Sequence, residues 1–182
     1  RNFAATGEEA LSPPVGQRSF AGFLYEEFGS PHATVQFGGR LDHAAYRPEN
    51  GLKARAVNEF SGSVGLLLKP RAANENVVVA INVARAARYP ALEELYYLGP
   101  HPGNLAFEVG NDELGAEHAL GFDVSVRGRS RRFGGELTFF RNDIKNYIFR
   151  QPTGEEAEGF PVVKNVAADS VLLGAEAHAD VK

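Results

Sequence analysis

The chain has 182 residues, a formal net charge of −4, 43% hydrophobic and 23% charged residues, and neither cysteine nor methionine. That balance excludes a disordered chain, and no stretch approaches the ~18 consecutive apolar residues of a membrane helix. Net acidity argues against a nucleic-acid partner, and the lack of cysteine removes disulfides and thiolate metal sites.

What organises the chain is an alternation of period two, which marks strands with one apolar and one polar face. The first predicted strand, 15–28, carries aromatics on both parities. In the second, 33–46, Ala33, Val35, Phe37, Gly39 and Leu41 alternate with Thr34, Gln36, Gly38, Arg40 and Asp42. The third, 57–69, sets Phe60, Gly62, Val64, Leu66 and Leu68 against Ser61, Ser63 and Gly65. The fourth, 77–87, begins apolar on both sides. In the fifth, 118–129, Leu120, Phe122, Val124 and Val126 oppose Gly121, Asp123, Ser125 and Arg127. The sixth, 132–148, and the seventh, 160–182, repeat the pattern, with Leu137 and Phe139 opposing Glu136 and Thr138, and Leu173 and Ala175 opposing Glu176, His178 and Asp180.

The connections alternate in length. Gly29-Ser30-Pro31-His32, residues 70–76 and residues 128–131 are short; residues 47–56, 88–117 and 151–159 are long. Pro90 is suited to open a short helix within Pro90–Tyr97. Short turns on one side and long loops on the other describe a meander through an outer membrane, with the long loops outside. The predicted fold is therefore all-β: an antiparallel up-and-down meander of about seven long strands. A soluble β-sandwich also alternates, but its strands run about 5–6 residues, and these are longer. Ionised residues within the strands suit a hydrated lumen, which assigns Arg40, Asp42, Asp123, Glu136, Glu176 and His178 to the lumen side. Tyr25, Tyr46, Phe139, Phe140, Tyr147 and Phe149 are candidates for interfacial aromatic belts.

Candidate chemistry is sparse. Ser12, Ser30 and Ser61 lack a nucleophile-elbow setting, and the pairs Glu8-Glu9, Glu93-Glu94 and Glu155-Glu156 read as solvated charge, so no enzyme is predicted. The basic run Arg127–Arg132 reads as a solvated turn. His101 lies in the stiff Gly99-Pro-His-Pro-Gly103 segment, with Glu93, Glu94, Glu108, Asp112 and Glu113 in the same excursion. Imidazole with carboxylates can hold a borderline metal, or an exposed histidine can meet haem iron; the plain alternative is a solvated turn histidine without a second His at ligand spacing. Glu93, Glu94, His101, Glu108 and Asp112 are the candidate ligand-binding residues of this outer loop. Nothing calls for a cofactor of the chain itself.

Several spacings resemble the TonB-dependent receptors. Arg88, Pro90, Glu94, Leu95 and Tyr96 follow that family's Arg-x-Pro-x-x-x-Glu-Leu-aromatic signature, and Gly110, Asn111, Leu114 and Glu117 follow its Gly-Asn-x-x-Leu-x-x-Glu element. Phe139–Ile148 is similar to a family strand end, and Gly174-Ala-Glu176 to the start of the next strand. Gly7-Glu-Glu-Ala10 with Pro13-Pro14 resembles the zinc- and haem-uptake subgroup. The resemblance implies a place in a larger, roughly 22-stranded transmembrane β-barrel of the bacterial outer membrane, with residues 1–182 a piece of the barrel lacking plug and C-terminal strands. It further implies nutrient import energised through the TonB complex. The implied partners are the receptor's own N-terminal plug domain, TonB, outer-membrane lipid and a small nutrient ligand, with lumen-side residues touching the plug. A lipocalin-like binding module and a passive porin stand as alternatives.

Overall fold

Alternating segments satisfy their backbone groups only by pairing edge to edge, and the computed structural model of this chain shows one sheet built that way. It describes residues 2–3, 13–49, 51–70, 76–101 and 103–181. The Gly7–Ala10 stretch, Ser12, Pro102 and the middle of the 70–76 turn lie outside the described residues.

Seven long strands run β2 (Val15–Gly29), β3 (Ala33–Pro48), β4 (Arg55–Leu68), β5 (Val77–Arg88), β8 (Glu117–Arg129), β9 (Phe133–Ala157) and β10 (Phe160–Val181). Three short ones are β1 (Asn2–Phe3), β6 (Leu98–His101) and β7 (Ala106–Val109), and the helix α1 spans Leu92–Tyr96. The sheet order is β1-β2-β3-β4-β5-β8-β9-β10-β7-β6. All neighbours are antiparallel except β10 and β7, which pair in parallel through Val162–Lys164 and Phe107–Val109.

The predicted long strands are all present. Two connections differ from expectation. Residues 151–159 are not a loop: β9 continues to Ala157, and the chain reverses at Glu158 and Gly159 with φ of 53° and 81°. These residues are exposed on both sides of the ladder, so nothing selects an alternating pattern there and the strand leaves no period-two trace. The 88–117 excursion holds the expected short helix as α1, and what the pattern did not show is the β6–β7 hairpin that follows it.

Register sorts the side chains into two faces. Arg40 pairs with Phe23 and Ser61, Asp42 with Glu59, Asp123 with Asn82 and Phe140, and Glu136 with Arg127 and His178. Since paired residues share a face, the polar parities of the long strands fall on one side. The other side carries Val35, Phe37, Val64, Phe122, Leu137 and Leu173. It is uncovered: Phe37 is 38%, Phe122 48% and Leu173 77% exposed. Among the described residues all ten strands belong to one sheet, and no second sheet seals this face as in a sandwich. The aromatic assignments divide accordingly. Phe139 lies on the apolar face, Tyr25 and Phe140 lie on the polar face opposite Gly38 and Asp123, and Tyr46 is only 5% exposed.

The apolar band runs across the sheet. Phe37, Val64, Val83 and Phe122 occupy one register row, which meets Arg141 on β9 before Leu173 on β10.

Two of the short turns have one design. Ser30 N donates to Ala33 O at 2.7 Å, while Ser30 Oγ donates to that oxygen and accepts Ala33 N–H, both at 3.1 Å. Ser130 repeats these contacts with Phe133, at 2.6 Å for the backbone bond and 3.1 Å for each side-chain bond. On the polar face Phe140 lies over Gly174, where an added Cβ would stand 2.5 Å from the ring. An aromatic ring covering a strand glycine fixes register.

Gly174→Ala is expected to destabilise the folded receptor by about 1–3 kcal/mol through overpacking. Urea unfolding of the detergent-solubilised receptor checks this. The Phe140→Leu background is expected to tolerate the alanine better, and equal losses in both backgrounds would remove the ring as the cause.

Candidate functional site

The segment between β5 and β8 folds back over the polar face rather than standing clear of the sheet. Pro90 is buried just before α1, and Leu95 and Tyr96 from the helix pack with Leu114 against Val15, Ala44, Tyr46 and Ile148 of the strands. Leu95 is 3% and Leu114 4% exposed, so this small cluster holds the excursion to the wall. Hydroxyls add to it: Tyr89 donates to Asp42 O at 2.9 Å, and Tyr96 to Lys53 O at 3.0 Å.

A fork of charge locks the base of the excursion. Arg88 Nη1 and Nη2 donate to the two oxygens of Glu94 at 2.9 and 3.1 Å, while its Nε donates to Glu117 Oε2. Glu94 also accepts Ala91 N–H at 2.7 Å, and Glu117 Oε1 accepts Ile148 N–H at 2.6 Å. That last amide is released by a bulge in β9, where Asn146 has φ 56° and the register slips between Ala168 and Ser170. Asn146 ties the bulge down further, its Nδ2 donating to Ala116 O at 3.3 Å. The guanidinium of Arg88, helped by the Ile148 amide and opposed by partial burial, holds the Glu117 carboxyl below the usual carboxylate range.

The other signature residues serve the same latch. Gly110 passes so close to α1 that a Cβ would lie 2.7 Å from Leu95 C, and its N–H donates to Tyr97 O at 2.7 Å. Asn111 N donates to Glu94 O at 2.8 Å, and its Nδ2 reaches Asn165 O at 3.1 Å. Sequence spacing found these residues without revealing that Arg88 and Glu117 face each other, because β5 and β8 become neighbours only through the sheet.

The five candidate ligand residues divide. Glu93, Glu94 and Glu108 border one recess of about 360 Å³ with Arg150 and Asn165. Neither His101 nor Asp112 lines it. Glu94 is held by Arg88, and Glu108, 3% exposed, accepts from Asn104 at 2.6 Å and lies 3.3 Å from Arg150 Nη2. His101 sits on β6 with its ring centroid 5.9 Å from that of Tyr97, and its Nδ1 is buried without a hydrogen bond among the described residues. Those residues contain no group of three His, Asp or Glu placed to hold a metal ion.

The six predicted lumen residues share the polar face but form separate pairs. Arg40 grips Asp42 with two bonds of 2.7 Å, Asn82 Nδ2 donates to Asp123 at 3.1 Å, and Arg127 makes a forked bond to Glu136 at 2.9–3.1 Å. His178 Nε2 lies 4.0 Å from Asp180, and Glu176 sits opposite Thr138. Beneath the excursion, Arg40, Asp42, Glu59, Ser61 and Arg88 border a recess of about 550 Å³. Glu59 was not singled out by pattern; it binds His118 Nε2 at 2.8 Å across β5 and lies 3.7 Å from Arg85.

A family model described as TonB dependent receptor-like, beta-barrel matches residues 2–181. Among solved structures, the copper transporter OprC superposes with a TM-score of 0.78 at 15% identity, over 92% of this chain and 26% of that one. The hemophore receptor HasR of Serratia marcescens, a double mutant in complex with its hemophore HasA and heme, gives 0.77 at 14% identity, over 96% and 33%. The FrpB iron transporter of Neisseria meningitidis (F5-1 variant) gives 0.68 at 18% identity, over 99% and 28%. At these identities the likeness speaks for the fold, and the chain spans a third or less of each structure.

Glu117→Gln is expected to free the excursion locally, at a cost of about 1–3 kcal/mol for the lost charged hydrogen bonds. Hydrogen exchange of residues 89–116 in the intact receptor reads this, and unchanged protection would show that Leu95, Tyr96 and Leu114 suffice. The pH effect has a definite sign. A carboxyl held below its unfolded value of roughly 4.3 stabilises fully above that value, and the contribution disappears as pH falls through the depressed folded value. Protection of 89–116 is expected to hold at pH 6 and fall below about pH 4, with the Gln variant less sensitive in that window, where the Glu94 and Glu108 carboxylates remain to protonate.

Proposed function

The chain belongs to the β-barrel of the TonB-dependent receptors, and on that premise we propose that it supplies part of the wall and outer loops of a receptor importing a scarce metal, haem or metal chelate. Receptors of this family are transporters of the bacterial outer membrane and not enzymes. The import is energised through TonB, and an N-terminal plug domain occupies the lumen. One observation carries the reading. The sheet has an uncovered apolar face and a polar face on which a structured excursion is latched. Acyl chains solvate the first face, and a hydrated, plugged interior borders the second.

In this reading Arg40, Asp42, Asp123, Glu136, Glu176 and His178 face the lumen and the plug. Most of these charges have a partner within the wall, which supports a role in presenting a neutral, hydrogen-bonding surface rather than a field of one sign. Glu93, His101 and Asp112 are the outer-loop candidates for contact with the nutrient. Glu94 and Glu108 act by shaping that loop, because their carboxylates are occupied by Arg88 and by Asn104 and Arg150. Structures with the same fold include a copper transporter, an iron transporter and a receptor in complex with a hemophore and heme, which supports a metal-centred nutrient without choosing one.

Deleting the intact receptor is expected to slow growth under iron, zinc or copper restriction, with plasmid-borne receptor restoring it. His101→Ala is expected to weaken that restoration, and full restoration removes His101 from the ligand path. The two faces separate in a second experiment. Val124→Arg is expected to cost about 2–4 kcal/mol at bilayer depth and to reduce folded receptor in outer-membrane fractions. Asp123→Asn on the opposite face is expected to leave folding nearly intact. Equal tolerance of both substitutions would overturn the assignment of faces.

A further inference from the structure

Where the ends of β3 and β4 meet the returning 110–116 segment, a recess of about 340 Å³ is bordered by Tyr46, Lys53, Arg55, Pro90, Leu95 and Leu114. Tyr46 and Arg55 are register partners. Arg55 Nη1 is buried, and among the described residues it has no hydrogen-bond partner and its side chain forms no ion pair with a carboxylate. Tyr46, only 5% exposed, borders the recess beside it. Lys53 Nζ reaches the same region and is bonded to Glu113 at 2.9 Å. Glu113 and Asp112 lie near enough to act on this cluster electrostatically, Glu113 on Arg55 and Asp112 on Tyr96.

A guanidinium keeps its charge at any physiological pH and presents donors only. Leaving one of those donors buried and unmet costs free energy that an acceptor recovers. Here the unmet buried group is a guanidinium N–H, with a phenol and the Glu113-bound ammonium of Lys53 beside it, and the remaining walls are mostly alanine, valine, proline and leucine. Two or more donors converging between apolar walls match a planar or tetrahedral oxyanion, which accepts in several directions at once. We propose that this recess is a binding site for a small oxyanion, the carboxylate or phosphate group of a solute entering from the side of the long loops. Arg55 is its principal donor, Tyr46 the second, and Lys53 supplies the nearby charge. The site is separate from the carboxylate recess at Arg150 and does not depend on which nutrient the receptor imports.

The test uses the full-length receptor in detergent, titrated calorimetrically with citrate and with inorganic phosphate at low ionic strength. The wild type is expected to bind at least one saturably. Arg55→Gln should weaken binding at least about tenfold, the worth of a charge-assisted hydrogen bond, with Arg55→Lys intermediate and Tyr46→Phe a smaller loss. Citrate preferred over phosphate identifies a carboxylate ligand, and the reverse a phosphate. Thermal unfolding of each variant confirms that the wall is intact; Arg55→Lys, which preserves charge, carries the comparison if Arg55→Gln fails to assemble. Absence of saturable binding by the wild type, leaving ordered water as the occupant, or equal affinity in Arg55→Gln, overturns the proposal.

Discussion

One forked guanidinium joins four separate pieces of this chain. Arg88 closes β5, Glu94 lies in α1, Glu117 opens β8, and Glu117 in turn meets the amide of Ile148 that the β9 bulge releases. Removing any one partner leaves the others with unmet charge in a partly buried place, which is the costly direction for such a network. Arginine suits the position because its donors reach two carboxylates in fixed geometry, whereas a lysine would act as a single point charge. The excursion 89–116 therefore starts and ends at one electrostatic knot, and its return to the sheet edge beside β10 follows from where that knot aims it.

The remaining architecture depends on each long strand presenting different chemistry to its two sides. In a water-soluble protein the apolar parity would have to be covered, because contiguous exposed apolar surface of this extent signals an interaction surface. Among the described residues no layer covers the apolar side of the sheet, and its apolar residues follow a band instead of a compact core. Its closest approach to a conventional core is the cluster beneath α1, on the polar side. Hydrophobic burial within the chain thus anchors a loop, while the outer band is left for acyl chains.

Much of this was legible in sequence, for identifiable reasons. Val35, Phe37 and Leu41 alternate with Gln36, Arg40 and Asp42 because two solvents impose opposite demands on adjacent residues, so β3 and its neighbours could be read directly. The outer half of β9, from Phe149 to Ala157, escaped because both its sides are wet. Tyr46 reads equally as interfacial or buried until α1 is seen to cover it. The parallel pairing of β7 with β10 also left no local trace, since it depends on how the excursion folds back. For the candidate site, spacing placed Glu93, Glu94 and Glu108 in one segment, and they do border one recess. It could not show that Arg88 and Arg150 already occupy two of them, nor that Arg55 Nη1 lacks a hydrogen-bond partner among the described residues.

The residues that carry the family signature are consequently a poor guide to specificity. Arg88, Pro90, Glu94, Leu95, Gly110, Asn111, Leu114 and Glu117 are each accounted for by a bond, a buried contact or a close backbone approach within the latch. A side chain committed in this way has little freedom to meet a solute. Such a latch keeps the excursion in place whatever it carries, and the side chains free of it among the described residues, such as Glu93, Asp112 and Arg55, are the ones proposed for recognition. A wall built on this plan tolerates substitution at those positions while the knot at Arg88 keeps the excursion fixed against the strands.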